Sequence, residues 1–166
     1  MLLHNTIETR EWRRGDYVAS TDKARLELDV IHQYLSMQSY WAQNIRRDVV
    51  ERAIAGSLTF GLYRHDGAQV GFGRVVTDCA VFAYIRDVFI IPTHQRRGLG
   101  TWLAQLMLGH PDLASVQNWM LATLDAHEVY RRAGFGPLLH PEWLMQILRK
   151  PGTCETSITS AKRVTP

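Results

Sequence analysis

The chain has 166 residues, 46% hydrophobic and 21% charged, with a formal net charge of +3. That suits one ordinary domain core, is too little for two, and is too apolar for a disordered chain. The small basic excess is scattered over pairs such as Arg13-Arg14, Arg46-Arg47, Arg96-Arg97 and Arg131-Arg132. It forms no basic arm and no stripe interleaved with aromatics, so no nucleic-acid partner is expected.

Residues 1–16 are polar and without clear period, and read as an N-terminal extension. Tyr17 to Asp22 suggests a short first strand. From Leu26 to Gln38, the residues Leu28, Ile31, Tyr34, Leu35 and Gln38 fall near one helical face. Ser39 to Asn44 is aromatic and non-periodic, hence a loop. Arg46 to Ala55 predicts a second helix with Val49, Val50, Ala53 and Ile54 inward and Gly56 as its stop. Leu58–Arg64, Gln69–Thr77 and Val81–Ile91 then read as a three-strand antiparallel meander, with Asp66-Gly67 in the first turn and Pro92 ending the third strand. A helix is predicted over Arg97–Leu108, a short strand over Trp119–Leu124 and a short helix over His127–Ala133, with Asp125 as its N-cap. The strand–helix–strand unit implies a parallel pair. Phe135–Leu139 and Trp143–Leu148 are the last strand candidates, and residues 150–166 read as a flexible C-terminal tail. The single domain is thus expected over 17–149.

No apolar run approaches the ~18–20 residues that span a bilayer. The opening Met1-Leu2-Leu3-His4-Asn5-Thr6-Ile7-Glu8 also lacks the pattern of a signal peptide. A cytoplasmic protein without a membrane partner is expected. Cys79 and Cys154 are far apart, and the seven histidines contain no His-x-x-x-His pair, so neither a disulfide framework nor a metal site is expected.

The segment that carries chemistry runs from Val88 to Thr101: a strand, a proline stop, a basic loop with two glycines, then a helix. Outward-pointing N–H groups at a helix start, and the helix dipole, favour an anion there. Gly98 and Gly100 let a diphosphate approach the backbone, and Arg96 and Arg97 add charge-assisted contacts. The segment lacks the Gly-Lys-Ser/Thr ending of a Walker loop and the third glycine of a dinucleotide fingerprint.

Gln95-Arg96-Arg97-Gly98-Leu99-Gly100 resembles the Gln/Arg-x-x-Gly-x-Gly/Ala loop of the GNAT superfamily of acetyl-CoA-dependent N-acetyltransferases. Val88-Phe89-Ile90-Ile91-Pro92 is similar to that family's preceding strand, and Tyr130-Arg131-Arg132-Ala133-Gly134-Phe135 to its Tyr-x-x-x-Gly-Phe signature. The resemblance covers about residues 17–148. It implies an α/β fold with a mixed, mostly antiparallel central sheet flanked by helices, splayed between the fourth and fifth strands to admit acetyl-CoA as cosubstrate. By the same resemblance, the backbone of Val88 and Ile90 pairs with the pantetheine arm. The amides of Gln95, Arg96, Arg97, Gly98, Leu99, Gly100 and Thr101 hold the pyrophosphate, the Ile90 amide faces the thioester oxygen, and Tyr130 sits beside the sulfur. Thr123 stands where the family often has Asn and is carried over as a weaker cofactor contact. Family members are often dimers, and a homodimer is the assembly this allows.

Acyl transfer to an amine needs a neutral amine, a donor for the oxyanion and a proton for the thiolate. Tyr130 is the candidate acid. Asp87 is the first candidate for the base, because a carboxylate in an apolar strand is costly unless used; pairing with Arg86 or Arg74, or capping a turn, is its structural alternative. By strand parity Tyr84 and Arg86 share a face that Asp87 reaches only through a bulge. Tyr40 and Trp41, in the loop between the first two helices, and Tyr84 are candidates for the acceptor pocket. The expected function is acetylation of a small-molecule primary amine by direct attack in a ternary complex. A protein or peptide N-acetyltransferase and a non-catalytic acyl-CoA-binding module are the alternatives.

Overall fold

The computed structural model of the protein describes residues 8–149. They divide into two compact units, one reaching to Phe135 and one beginning at Gly136.

In the first unit the strands are β1 (Glu11–Arg14), β2 (Tyr17–Ser20), β3 (Leu58–Arg64), β4 (Gln69–Thr77), β5 (Phe82–Ile90) and β6 (Asn118–Met120). The helices are α1 (Leu28–Met37), α2 (Arg47–Ala55), α3 (Leu99–Leu108) and α4 (His127–Arg132). The six strands form one sheet in chain order. All neighbours are antiparallel except β5 and β6, which are parallel. The expected mixed, mostly antiparallel α/β fold is therefore present. One strand precedes the expected first one, so the fourth and fifth strands of the sequence reading are β5 and β6.

The part of the expected extension that forms β1 was missed because Glu11, Arg13 and Arg14 face solvent. An edge strand with polar side chains carries no apolar period. β3 shows the opposite: six of its seven residues are buried, because helices cover both faces. On one face α3 lays Leu99, Leu103, Ala104 and Met107 against Phe60, Leu62, Val75 and Ile85. On the other, Ile31 and Leu35 of α1 and Val50 of α2 pack on Phe72 and Phe89. The start of α1 is fixed to β4 by a reciprocal pair: Glu27 N donates to Gln69 Oε1 at 2.7 Å, and Gln69 N donates to Glu27 Oε1 at 2.9 Å. Among the described residues no helix is long and apolar enough to cross a membrane.

β6 is shorter than the expected 119–124, and Leu124 is exposed. From Phe135 onward, neither Phe135–Leu139 nor Trp143–Leu148 is a strand. Pro141–Trp143 makes a single 3₁₀ turn, with His140 stacked on Trp143 at 3.8 Å. A strand needs a neighbour to satisfy its backbone; Gly136 and Pro137 interrupt the first run, and Pro141 opens the 3₁₀ turn that takes up the start of the second. Leu139, Met145, Ile147 and Leu148 of the second unit are exposed. The expected tail, 150–166, lies outside the described residues.

Candidate active site

The site is organised by β5. Arg74 is paired with Arg86 and Phe72 with Phe89, so Gly73 alone stands opposite both Asp87 and Val88. That is a β-bulge, and Asp87 within it is left-handed, with φ 55°. A side chain at Gly73 would come within 2.4 Å of Met107 Cε, so glycine lets the strand bulge beneath α3. The bulge changes side-chain parity. Ala83 and Ile85 face the α3 core, and the next residues to do so are Val88 and Ile90. Asp87 is thereby left on the face of Arg74, and the expectation of a parity-breaking bulge is met.

Beyond Tyr84, no residue of β5 pairs with β6. This divergence leaves the upper part of β5 with a free edge. Ile91 N donates to Val70 O at 2.9 Å, which puts Ile90 in the non-hydrogen-bonded register opposite Gly71. The main-chain groups of Ile90, and of Val88 two residues earlier, therefore point away from β4 into the divergence. Gln95 Nε2 donates to Ile90 O at 2.8 Å, which occupies that acceptor and leaves the N–H as the group on offer.

After β5, a 3₁₀ turn over Pro92–His94 leads into the loop and α3. Arg96 (φ 60°) and Gly98 (φ 72°) are both left-handed, curling the main chain as an anion-binding nest does. Gly98 is the residue before α3, and among the described residues no side chain caps the helix, so its first N–H groups remain available. Two side chains that sequence reasoning left unassigned hold this loop. Arg14 Nη1 donates to Gly98 O at 3.2 Å, and Tyr17 Oη lies 2.8 Å from His94 Nδ1. Both partners are more than seventy positions away in the chain, so no local pattern could have found them.

The loop between α1 and α2 touches both arms of the divergence. Trp41 Nε1 donates to Asp87 Oδ1 at 3.2 Å on β5, while Tyr40 Oη accepts from Leu124 N at 2.7 Å beyond β6. Their rings meet edge to face at 4.9 Å. Asp87 is nearly buried and also accepts from Arg74 Nε at 2.6 Å, so of the two arginines weighed for it, Arg74 is the partner. Arg74 Nη1 in turn donates to Ser57 Oγ at 3.0 Å.

Tyr130 projects from α4 and is buried, with its ring edge-on to Phe135 at 5.9 Å. Burial, with smaller contributions from Tyr40 and Asp125, pushes its hydroxyl up to about 12. It is therefore protonated throughout the neutral range. Asp125 does not cap α4: the N-cap position is Ala126, and no side chain bonds there. Thr123 takes the local role instead, its Oγ1 accepting from Ala126 N at 3.0 Å. The structure thus gathers Asp87, Val88, Ile90, Tyr40, Trp41 and Tyr130 about one divergence, and Gln95 to Thr101 at the end of β5. Tyr84 lies at the point where β5 and β6 part.

Residues 56–137 match the family described as "Acetyltransferase (GNAT) domain". A protein of Gibberella zeae, named "Putative acetyltransferase FG08082", is 34% identical over 148 residues, covering 76% of this chain and 82% of its own. The crystal structure of a protein from Xanthomonas campestris pv. campestris, described as belonging to the GNAT family, superposes with a TM-score of 0.77 at 44% identity. It covers 84% of this chain and 97% of that one. A more distant likeness in fold is the spermidine N-acetyltransferase of Vibrio cholerae, solved with CoA and spermine. It has a TM-score of 0.54 at 16% identity, over 76% of this chain and 79% of that one.

Proposed function

Because the chain belongs to the GNAT acetyltransferases and is an acyltransferase using acetyl-CoA as cosubstrate, we propose that it acetylates the primary amine of a small molecule by direct attack in a ternary complex. The observation that carries the acceptor's size is the Tyr40-Trp41 loop. It reaches Asp87 on one arm of the divergence and Leu124 beyond the other. A loop strapped across the site suits a small molecule better than the open groove a folded protein substrate needs.

The pantetheine arm lies along the free edge of β5 and pairs with Val88 and Ile90 as an added strand would. The pyrophosphate takes the N–H groups from Gln95 to Thr101, with Arg96 and Arg97 beside it and the Arg14–Gly98 bond holding the curl. Thr123 lies on the opposite arm and has a hydroxyl proton to donate. The amine attacks the thioester carbon as its lone pair forms the C–N bond. The Ile90 N–H stabilises the oxyanion that develops, at no reorganisation cost. Collapse expels the thiolate, Tyr130, held protonated, supplies its proton, and the proton shed by the newly acylated nitrogen restores the tyrosine.

An alkylammonium of pKa ~10.4 is neutral in only about one molecule in 2,500 at pH 7. A group that receives its proton therefore raises the rate. Asp87 is the carboxylate at the bulge, and the base's role falls to it on position. The salt bridge to Arg74 favours a second reading, in which Asp87 positions Trp41 and the bulge while the amine enters already neutral. Asp87→Asn separates the two. A base predicts that kcat falls and its acidic limb disappears, whereas a positioning group predicts a higher KM for the amine with the pH profile retained.

The reading is tested first by thermal unfolding with acetyl-CoA at 100 times its dissociation constant, where ~2.7 kcal/mol of stabilisation is expected. Thiol release is then followed over a panel of amines and, separately, lysine-containing peptides. Acetylation of peptides in preference to every small amine would overturn the proposal.

A further inference from the structure

The face of the sheet that carries Asp87 also holds a shallow, open groove of about 370 Å³, lined by Arg74, Val76, Phe82, Tyr84 and Arg86. Its two arginines differ. Arg74 is nearly buried and is neutralised by Asp87. Arg86 stands directly opposite it across β4 and β5, is exposed, and has no carboxylate within ion-pair distance among the described residues. Its guanidinium lies 5.9 Å from the centroid of the Tyr84 ring. Among the described residues the groove therefore carries one uncompensated positive charge beside aromatic and aliphatic walls, and no acidic side chain lines it.

Position ties the groove to the reaction. The β4 partners of Arg86 and Ile90 are Arg74 and Gly71, three residues apart, so at ~3.3 Å per residue Ile90 lies roughly 10 Å along the sheet from Arg86. A short chain or a single ring bridges that span. Guanidinium is the side chain best suited to a planar oxyanion, which it meets with two parallel hydrogen bonds. Resting on the reading of the protein as a small-amine acetyltransferase, we infer that its acceptor is an amine carrying an anionic group, which Arg86 binds, while the Tyr84 ring beside the guanidinium and the Val76 and Phe82 side chains beyond it form the wall behind the bound oxyanion. The amine end points toward the bulge and the oxyanion away from it. Carboxylate and phosphate share this chemistry.

The experiment uses matched acceptors that differ only in the anion: 4-(aminomethyl)benzoate against benzylamine, and phosphoethanolamine against ethanolamine. Wild type is expected to favour at least one anionic member by tenfold or more in kcat/KM, through a lower KM. The pair that shows the preference identifies carboxylate or phosphate. Arg86→Ala should bring that ratio close to one, and Arg86→Lys should keep part of it. Arg86 is exposed, and an unchanged acetyl-CoA thermal shift confirms that the variant is folded. Equal or better use of the neutral amines by wild type would overturn the inference, as would a ratio that Arg86→Ala leaves intact. Turnover with no anion preference sinks the inference and spares the parent reading. If no amine turns over, the CoA-loaded protein is titrated with 4-(acetamidomethyl)benzoate and N-benzylacetamide. Carboxylate-selective binding lost in Arg86→Ala upholds the anion site while the transfer reading fails; no selectivity overturns the site as well.

Discussion

The two ends of β5 offer a ligand different means of recognition. After the strand, from Gln95 to Gly100, what is offered is main chain: a left-handed Arg96, a left-handed Gly98 and an uncapped helix start. Before and at the bulge, what is offered is side chain: Asp87 bonded to Arg74 and Trp41, with Tyr84 and Arg86 alongside. Main-chain recognition tolerates a change of side chain so long as the backbone keeps its shape and nothing fills the approach. Side-chain recognition fails with the loss of one functional group. Substitutions should therefore divide cleanly between the two ends.

The largest effect is expected between them, at Tyr130. Its hydroxyl is the proposed acid, and general acids typically contribute ~10²–10⁴-fold. Tyr130→Phe keeps the ring against Phe135 and should lower kcat by about that range, with acetyl-CoA affinity unchanged by thermal shift. Full turnover in Tyr130→Phe would remove tyrosine from the mechanism.

Next comes the cofactor end, where bulk rather than loss should do the damage. A Cβ at Gly100 would meet only Val129 Cγ1, at an ordinary 3.6 Å, and φ there needs no glycine. Glycine costs ~0.8–1 kcal/mol relative to alanine inside a helix, somewhat less in a first turn. Gly100→Ala should thus raise the melting temperature of the free protein while weakening acetyl-CoA about tenfold. Gly98→Ala behaves differently. With φ at 72° and Arg14 Nη2 3.4 Å from the new Cβ, it should lower both stability and affinity. If Gly100→Ala leaves affinity intact, the ligand does not approach that part of the loop.

Smaller still should be the effect of Trp41→Phe. It keeps an aromatic ring beside Tyr40 and removes only the N–H that bonds Asp87. A several-fold rise in KM for the amine, with kcat little changed, is the expected result. A change confined to acetyl-CoA affinity would mean that the loop belongs to the cofactor end and would blur the division drawn above.

The division also accounts for what the sequence disclosed. Main-chain sites leave a local signature, because glycines, a proline stop and a helix start must be contiguous. Gln95 to Gly100 was therefore legible, and so were β3 and β4, whose expected bounds match the structure. Side-chain sites are assembled by tertiary contact. Trp41 and Asp87 are 46 positions apart and Arg14 and Gly98 are 84, so their pairing leaves no trace in spacing. Asp87 stood out as a charge in an apolar strand, yet whether Arg74 or Arg86 would hold it depended on a one-residue bulge. The bulge in turn rests on Gly73 lying under Met107. The last two strand candidates failed for a related reason: apolar content suggests a strand, but only a neighbouring strand makes one.

Tyr63, away from both ends, supplies the baseline and the smallest effect. Its side chain is buried and its hydroxyl has no hydrogen-bond partner among the described residues, while the Arg25 guanidinium lies over its ring at 4.3 Å. Tyr63→Phe keeps the ring and the cation above it, and it removes a polar group whose burial is uncompensated. Such a group costs roughly 1–3 kcal/mol when wholly desolvated, and the hydroxyl's share should lie at or below the lower end. The variant should therefore be as stable as wild type or slightly more so at pH 7. The pH dependence checks the cause. Burial pushes the Tyr63 hydroxyl, like that of Tyr130, up to about 12. Below pH ~10 both tyrosines are protonated in the folded and unfolded chains, and their contribution is fully present. Between pH ~10 and 12 the unfolded chain releases these protons and the folded one retains them, so stability falls. Denaturant unfolding across that window should show a shallower decline in Tyr63→Phe than in wild type, with turnover at pH 7 unaltered. An equally steep decline would mean that the Tyr63 hydroxyl is hydrated in solution, and the gain at neutral pH should vanish with it.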